Sequence, residues 1–165
     1  MLGLAPHTAS RREDHGTDKK GRWTWAQLIG RSGKSILIIA AYRVSQTYPG
    51  EAGYSTAYMQ QYRALLKENV SKPKPKHRVL IDLASFISNW RRHHENSSVI
   101  VMMDANADLT DPHLKTFISD TALHDVIRQH APGLTNQHQK VALNWPGLYN
   151  YLLNSPIFIN LSSIL

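Results

Sequence analysis

The apolar run from Val99 to Met103 passes directly into Asp104, Asn106 and Asp108, with no turn residue between the two parts. A short, continuous apolar run of this kind is typical of a buried strand. In layered α/β architectures, catalytic groups sit where strands end, because the strand fixes them and the following loop leaves them open to a ligand. The segment therefore predicts a buried strand that presents polar side chains at its carboxyl end.

The polar end of this strand has two interpretations. In the first, Asp104 is an acceptor or base and the Asn106 amide lies two residues away on the same side of an extended segment, an arrangement that suits a phosphoryl oxygen and its attacking water. In the second, Asp104 caps the helix that begins after Asp111, or ties the turn, as Asx residues commonly do. The spacing alone does not distinguish them.

Other elements follow from hydrophobic periodicity. Residues 23–29 and 35–42 predict a β-hairpin whose second strand is buried. Apolar residues at three- and four-residue steps predict helices near 58–66 and, most clearly, at 77–92. The remaining predictions are short helices at 112–119 and 123–129, a last strand within 147–159, an extended connector at 71–76, and a flexible polar arm at 1–21.

Composition limits the class of protein. The chain has 165 residues, which corresponds to about one domain, and it carries a net charge of +7 with a pI near 9.8. Such a charge favours a polyanionic partner such as nucleic acid, although an ordinary solvated surface is the alternative. The segment with Lys72, Lys74, Lys76 and Arg78, stiffened by two prolines, is either a phosphate-backbone contact or a solvated linker.

The sequence contains no cysteine, which excludes disulfides and thiolate metal sites without identifying a compartment. No apolar run approaches the length of a membrane span, so a soluble intracellular protein is the default expectation. "DANADLTD" begins like a calcium-binding loop but has Leu109 and Lys115 where glycine and glutamate are required. His93 and His94 lack a third ligand at a recognisable spacing, so the pattern predicts no metal site.

Taken together, "IIAAYR" with Tyr42, the helix "TAYMQQYRALL" and "MDANAD" with Asp104 and Asn106 form a recognisable series. The series resembles the endonuclease/exonuclease/phosphatase superfamily, which includes apurinic-site endonucleases and DNase-I-like nucleases. The hairpin before Tyr42 looks like the retroelement-type branch. The resemblance runs from about residue 16 to 156, and Met103 replaces the glycine of the family's G-D-x-N motif.

The resemblance implies a fold and a set of roles. The fold would be α+β, a partial four-layer α/β/β/α sandwich of which this chain supplies mainly one sheet and its helices. Asp104 would orient or deprotonate the attacking water, Asn106 would hold that water or a phosphate oxygen, and Tyr42 would approach the scissile phosphate. Arg43 could add a phosphate contact. The family's chemistry implies Mg²⁺ as cofactor and DNA as partner.

The sequence also departs from the family pattern. The strands that carry the family's metal-binding glutamate and its final S-D-H motif are not found, and Asn150 stands where an aspartate orients the catalytic histidine. We therefore expect a partial domain at 22–156 with a divergent tail at 157–165, weakly active or inactive as a nuclease. The alternatives are a non-catalytic basic nucleic-acid-binding module and a degenerate retroelement remnant. Without the second sheet, Ile38, Ile39 or their neighbours would be exposed and would favour association.

Overall fold

The computed structural model describes residues 11–29, 34–51, 53–95, 97–108, 110–125 and 140–144. The strands are β1 (Arg12–Thr17), β2 (Trp23–Ile29), β3 (Ser35–Tyr42), β4 (Ser98–Asp104), β5 (His124–Asp125) and β6 (Lys140–Asn144). The helices are α1 (Ala57–Lys67), α2 (Pro75–His93) and α3 (Pro112–Asp120), with a 3₁₀ turn at Pro49–Glu51. Within these ranges, no helix has the length and apolar character needed to cross a membrane.

The strands form one six-stranded sheet in the order β1-β2-β3-β4-β6-β5. β3 and β4 are parallel, and the other neighbouring pairs are antiparallel. The chain between β3 and β4 contains α1 and α2, as a parallel connection requires a crossover. The predicted α+β class, with mainly one sheet and its helices, is confirmed.

The predicted hairpin is confirmed, since β2 and β3 pair along their whole length from Trp23 opposite Ala41 to Ile29 opposite Ser35. The predicted helices at 58–66, 77–92 and 112–119 correspond to α1, α2 and α3. α2 starts two residues earlier than predicted, with Pro75 in its first turn, where the missing N–H costs nothing. α1 begins at Thr56, whose hydroxyl accepts a hydrogen bond from the N–H of Met59.

The core lies between one face of the sheet and helices α2 and α3. Alternate residues of β3 and β4 face this layer, and α2 covers them with the apolar stripe that its sequence predicts. Phe86 of α2 packs against both indoles of β2, with ring centroids 6.1 Å from Trp23 and 5.8 Å from Trp25. The buried cluster includes Leu37, Ile39, Ala41, Val79, Leu80, Leu83, Ile87, Trp90, Val99, Val101, Met103, Leu114 and Phe117.

Arg22 joins the turn between β1 and β2 to helix α2. Its guanidinium is buried and donates hydrogen bonds to Asp18, from Nε at 2.7 Å and from Nη2 at 3.1 Å, and from Nη1 to Asp82 at 2.7 Å. Burial by itself would raise the pKa of Asp18, but the hydrogen bonds and charge of Arg22 lower it below its usual value. The ionised carboxylate is therefore part of the folded structure.

Three predictions need correction. The polar stretch predicted as an arm supplies β1, whose backbone pairs with β2 although most of its side chains are exposed. The helix predicted at 123–129 is wrong at residues 124–125, which form strand β5 against β6. Neither of these strands was predicted from the sequence. Ile38 and Ile39 are both buried, so the exposure predicted for these two side chains is wrong, while association through this face of the sheet stays a prediction. The last strand predicted within 147–159 lies outside the described residues, and the domain limits stay predictions.

Candidate functional site

The site predicted at the end of β4 lies beside the end of β3. The two strands are parallel, and their register pairs Tyr42 directly with Asp104. Paired residues of neighbouring strands point to the same face. Because Ala41 and Met103 face the helices, Tyr42 and Asp104 face the opposite side, where Tyr42 is 40% exposed and Asp104 is also exposed. The fold thus brings together two groups that are 62 positions apart in the sequence.

Asn106 belongs to the same corner. Its backbone has a φ of 42°, in the left-handed region that asparagine tolerates better than most residues. Its Nδ2 donates to the carbonyl oxygen of Arg43 at 2.7 Å, and its backbone N–H lies 3.4 Å from Oδ1 of Asp104. The N–H of Arg43 in turn donates to the carbonyl oxygen of Asp104 at 2.9 Å. These bonds hold Asp104 and Asn106 in a defined turn against the end of β3.

The structure also bears on the alternative interpretation of Asp104. Helix α3 is capped by Asp111, whose Oδ1 accepts from the N–H groups of His113 at 2.8 Å and Leu114 at 3.1 Å. Asp104 therefore does not cap this helix. It does accept the long hydrogen bond from Asn106, so tying the turn and presenting a carboxylate to solvent are both compatible with its position.

Arg43 has a different role from the one predicted. The side chain is fully buried on the helical side of the sheet, with Nε donating to the carbonyl oxygen of Lys76 at 2.9 Å and Nη1 to that of Ala105 at 3.4 Å. Nη2 donates to Oδ2 of Asp111 at 3.0 Å. The guanidinium is therefore not available for the predicted phosphate contact. Arg43 instead connects the end of β3 to α2, α3 and the turn after β4.

Asp111 is shared between two tasks, the cap of α3 and the ion pair with Arg43. Burial alone would raise the pKa of Asp111, but the N–H of Leu114, the charge of Arg43 and the N–H of His113 lower it below the ordinary value. This pairing was not predicted from the sequence. Its signal was available in the period-2 alternation, which puts Arg43 on the same face as the buried Ile39 and Ala41 and so requires a buried partner.

The basic segment is only partly available to a ligand. Lys76 donates from Nζ to the carbonyl oxygen of Ser45 at 3.1 Å, and Arg78 pairs with Asp82 at 2.7 Å. Lys72 and Lys74 are exposed, while the prolines between and after them, at 73 and 75, are buried and fix the segment to the domain. The segment is therefore packed against the domain and exposes two lysines, Lys72 and Lys74.

The residues do not fit a metal ion in the part of the chain that the structure describes, because no three His, Asp or Glu side chains come together in a way that could hold one. Asn150, the predicted degenerate catalytic position, lies outside the described residues. The candidate site consists of Tyr42, Asp104 and Asn106, and Arg43 and Asp111 lie behind it on the helical side of the sheet. It offers a carboxylate that can accept a hydrogen bond from water, and an amide and a phenol that can donate to an anion or to water.

No family model matches this sequence. No curated protein matches it either. Among solved structures, the human Nocturnin catalytic domain with bound sulfate is similar at 16% identity and a TM-score of 0.46, over 81% of this chain and 47% of that one.

Two bacterial structures are also similar. A β-hairpin deletion mutant of beta toxin from Staphylococcus aureus has 10% identity and a TM-score of 0.43, over 75% of this chain and 44% of that one. Sphingomyelinase C from Streptomyces griseocarneus has 11% identity and a TM-score of 0.39, over 77% and 43%. The chain spans less than half the length of each of these three structures.

Proposed function

We propose that this chain is part of a phosphodiesterase-type hydrolase domain of the endonuclease/exonuclease/phosphatase kind, acting on nucleic acid and weakly active or inactive as it stands. The observation that supports the proposal most is the parallel register of β3 and β4, which pairs the exposed Tyr42 with the exposed Asp104. The sequence resemblance assigns these two residues to one site. They lie on one face of the sheet, at the carboxyl ends of two neighbouring strands.

Each group has a chemical task in the proposed site. The Asp104 carboxylate accepts a hydrogen bond or the proton from the attacking water, and the Tyr42 hydroxyl donates a hydrogen bond to a phosphate oxygen. Asn106 uses one N–H of its amide for Arg43, and we assign its second N–H as a donor to the water or the phosphate. Arg43 and Asp111 position this turn and do not touch the substrate.

Weak activity follows from what surrounds Asp104. A phosphodiester is anionic, and hydrolysis develops further charge on its oxygens, which a divalent cation such as Mg²⁺ usually offsets. Within the described residues, no cluster of three His, Asp or Glu side chains is suited to such an ion. The retroelement-type ancestry, the DNA substrate and the Mg²⁺ requirement are parts of this proposal that rest on the sequence resemblance.

The test of catalysis is incubation of the purified chain with supercoiled plasmid and with an abasic-site duplex, in Mg²⁺ and in Mn²⁺. We expect little or no nicking above a buffer control. Nicking that disappears in both Asp104→Ala and Asn106→Ala, but persists in the exposed control Asp120→Ala, would contradict the expected inactivity and would place a working site at this corner.

A second candidate function is nucleic-acid binding without catalysis, and the observation that favours it is the pair of exposed lysines, Lys72 and Lys74, on a chain of net charge +7. Each phosphate contact contributes about −0.9 to the slope of log K against log salt. We expect Lys72→Ser with Lys74→Ser to reduce that slope by up to about 1.8 on duplex DNA. The matched control replaces the exposed Lys19 and Lys115. An equal loss in both double variants would show general electrostatics and no specific contact.

A further inference from the structure

Two histidines meet where the first turns of α2 and α3 come together. His77 lies in the first turn of α2 and His113 in the first turn of α3, and their ring centroids are 3.8 Å apart at an interplanar angle of 34°. The amino terminus of a helix carries partial positive charge. A proton on His77 would therefore place a positive charge beside the partial charges of two helix termini and against the ring of His113.

Most charged groups around the pair also disfavour a proton on His77. Burial lowers the pKa of His77 first, and the positive charges of His113, Arg43 and Lys74 lower it further, whereas Asp111 opposes them. Asp111 is already bonded to the guanidinium of Arg43 and to two N–H groups of α3. The nearby carboxylate is therefore committed to other partners, and a second cation beside it gains little.

We propose that the His77–His113 contact is a proton-sensitive junction between α2 and α3, which contributes to folded stability near neutral pH and is weakened on mild acidification. Its effect reaches the candidate site through Arg43, which contacts the first turn of α2, the cap of α3 and the turn that carries Asp104 and Asn106. The junction does not depend on the proposed hydrolase function, and its test needs no substrate.

Linkage gives the direction of the effect. A histidine whose pKa is lower in the folded state binds fewer protons there than in the unfolded chain, so folded stability is full above the unfolded value near 6.5 and falls as pH decreases below it. One such proton raises the unfolding equilibrium constant by at most about tenfold per pH unit. The window between pH 7.5 and 5.5 lies above the reference pKa values of carboxyl side chains, which are about 3.9 and 4.3.

The experiment is histidine titration by two-dimensional ¹H–¹⁵N NMR of the full chain, together with urea unfolding at pH 7.5, 6.5 and 5.5. We expect His77 to titrate below pH 6.5 in the wild type and to move upward in His113→Gln. We also expect the unfolding constant to rise less between pH 7.5 and 5.5 in His77→Gln than in the wild type. The exposed control His15→Gln should retain the wild-type pH dependence.

The NMR titration of the unmodified protein decides the matter even if a variant does not fold. A His77 pKa at or above 6.5 would overturn the proposal. An unchanged His77 titration in His113→Gln would do the same, since the coupling between the rings is then absent. His77→Phe, which keeps an aromatic ring in place without a titrating group, should lose the extra pH dependence while remaining folded at pH 7.5.

Discussion

Replacing Arg43 by methionine should cost more stability than replacing any exposed cation of this chain. Methionine has a similar length and no charge, so the change removes the guanidinium donor from the carbonyl oxygens of Lys76 and Ala105 and from Oδ2 of Asp111. Removing one partner of a buried ion pair typically costs about 3–5 kcal/mol. Because the side chain of Asp111 is 20% exposed and water can reach it, we expect about 3 kcal/mol, at the lower end of that range.

The assay is urea unfolding at pH 7.5, with Arg78→Met as the matched control. Arg78 forms an ion pair of the same kind with Asp82, but its side chain is 43% exposed, and such surface pairs contribute less than about 1 kcal/mol. A double-mutant cycle of Arg43→Met with Asp111→Asn isolates the pair, since asparagine keeps the cap of α3 while removing the charge. We expect a coupling energy of about 1–3 kcal/mol.

Equal destabilisation by Arg43→Met and Arg78→Met, or a cycle without coupling, would contradict this prediction. Either result would mean that the guanidinium of Arg43 is not held in the buried arrangement described above. A phosphate contact by Arg43, as the sequence first suggested, would then deserve a direct test by anion titration.

Three further predictions concern the sheet and its core. Gly16→Ala should cost about 1–3 kcal/mol in urea unfolding, because the new Cβ would lie 2.9 Å from Nε1 of Trp25, and a cost near zero would show that the indole moves aside. Leu83→Ala should cost about 2–5 kcal/mol in the same assay, because Leu83 is fully buried between α2 and the sheet; a smaller loss would contradict this packing. Because the pKa of Asp18 is lowered in the folded state, its contribution to the free energy of unfolding is present above about pH 4 and is lost as pH falls below that value. Asp18→Asn should therefore lose less stability than the wild type between pH 6 and pH 3. Equal losses would show that Arg22 does not bind Asp18 in its ionised form.

Local patterns in the sequence predicted α2 and β4. The apolar stripe of α2 is visible because burial of one helix face selects residues at a fixed period, and β4 is visible as a continuous apolar run. Strand β1 was not predicted, because both faces of this edge strand are largely exposed and its backbone hydrogen bonds are made with β2. An exposed strand leaves almost no hydrophobic period to detect.

The candidate site divides in the same way. The sequence alone determined that Asp104 follows a buried strand and that Asn106 lies two residues further on. Only the tertiary structure decided that Tyr42 is the neighbour of Asp104, because strand register is a long-range property. It also decided that Arg43 faces inward, where its three partners are 33, 62 and 68 residues away in the chain. A buried charge takes its partners from whichever elements the fold brings near it, and no local pattern records which ones those are.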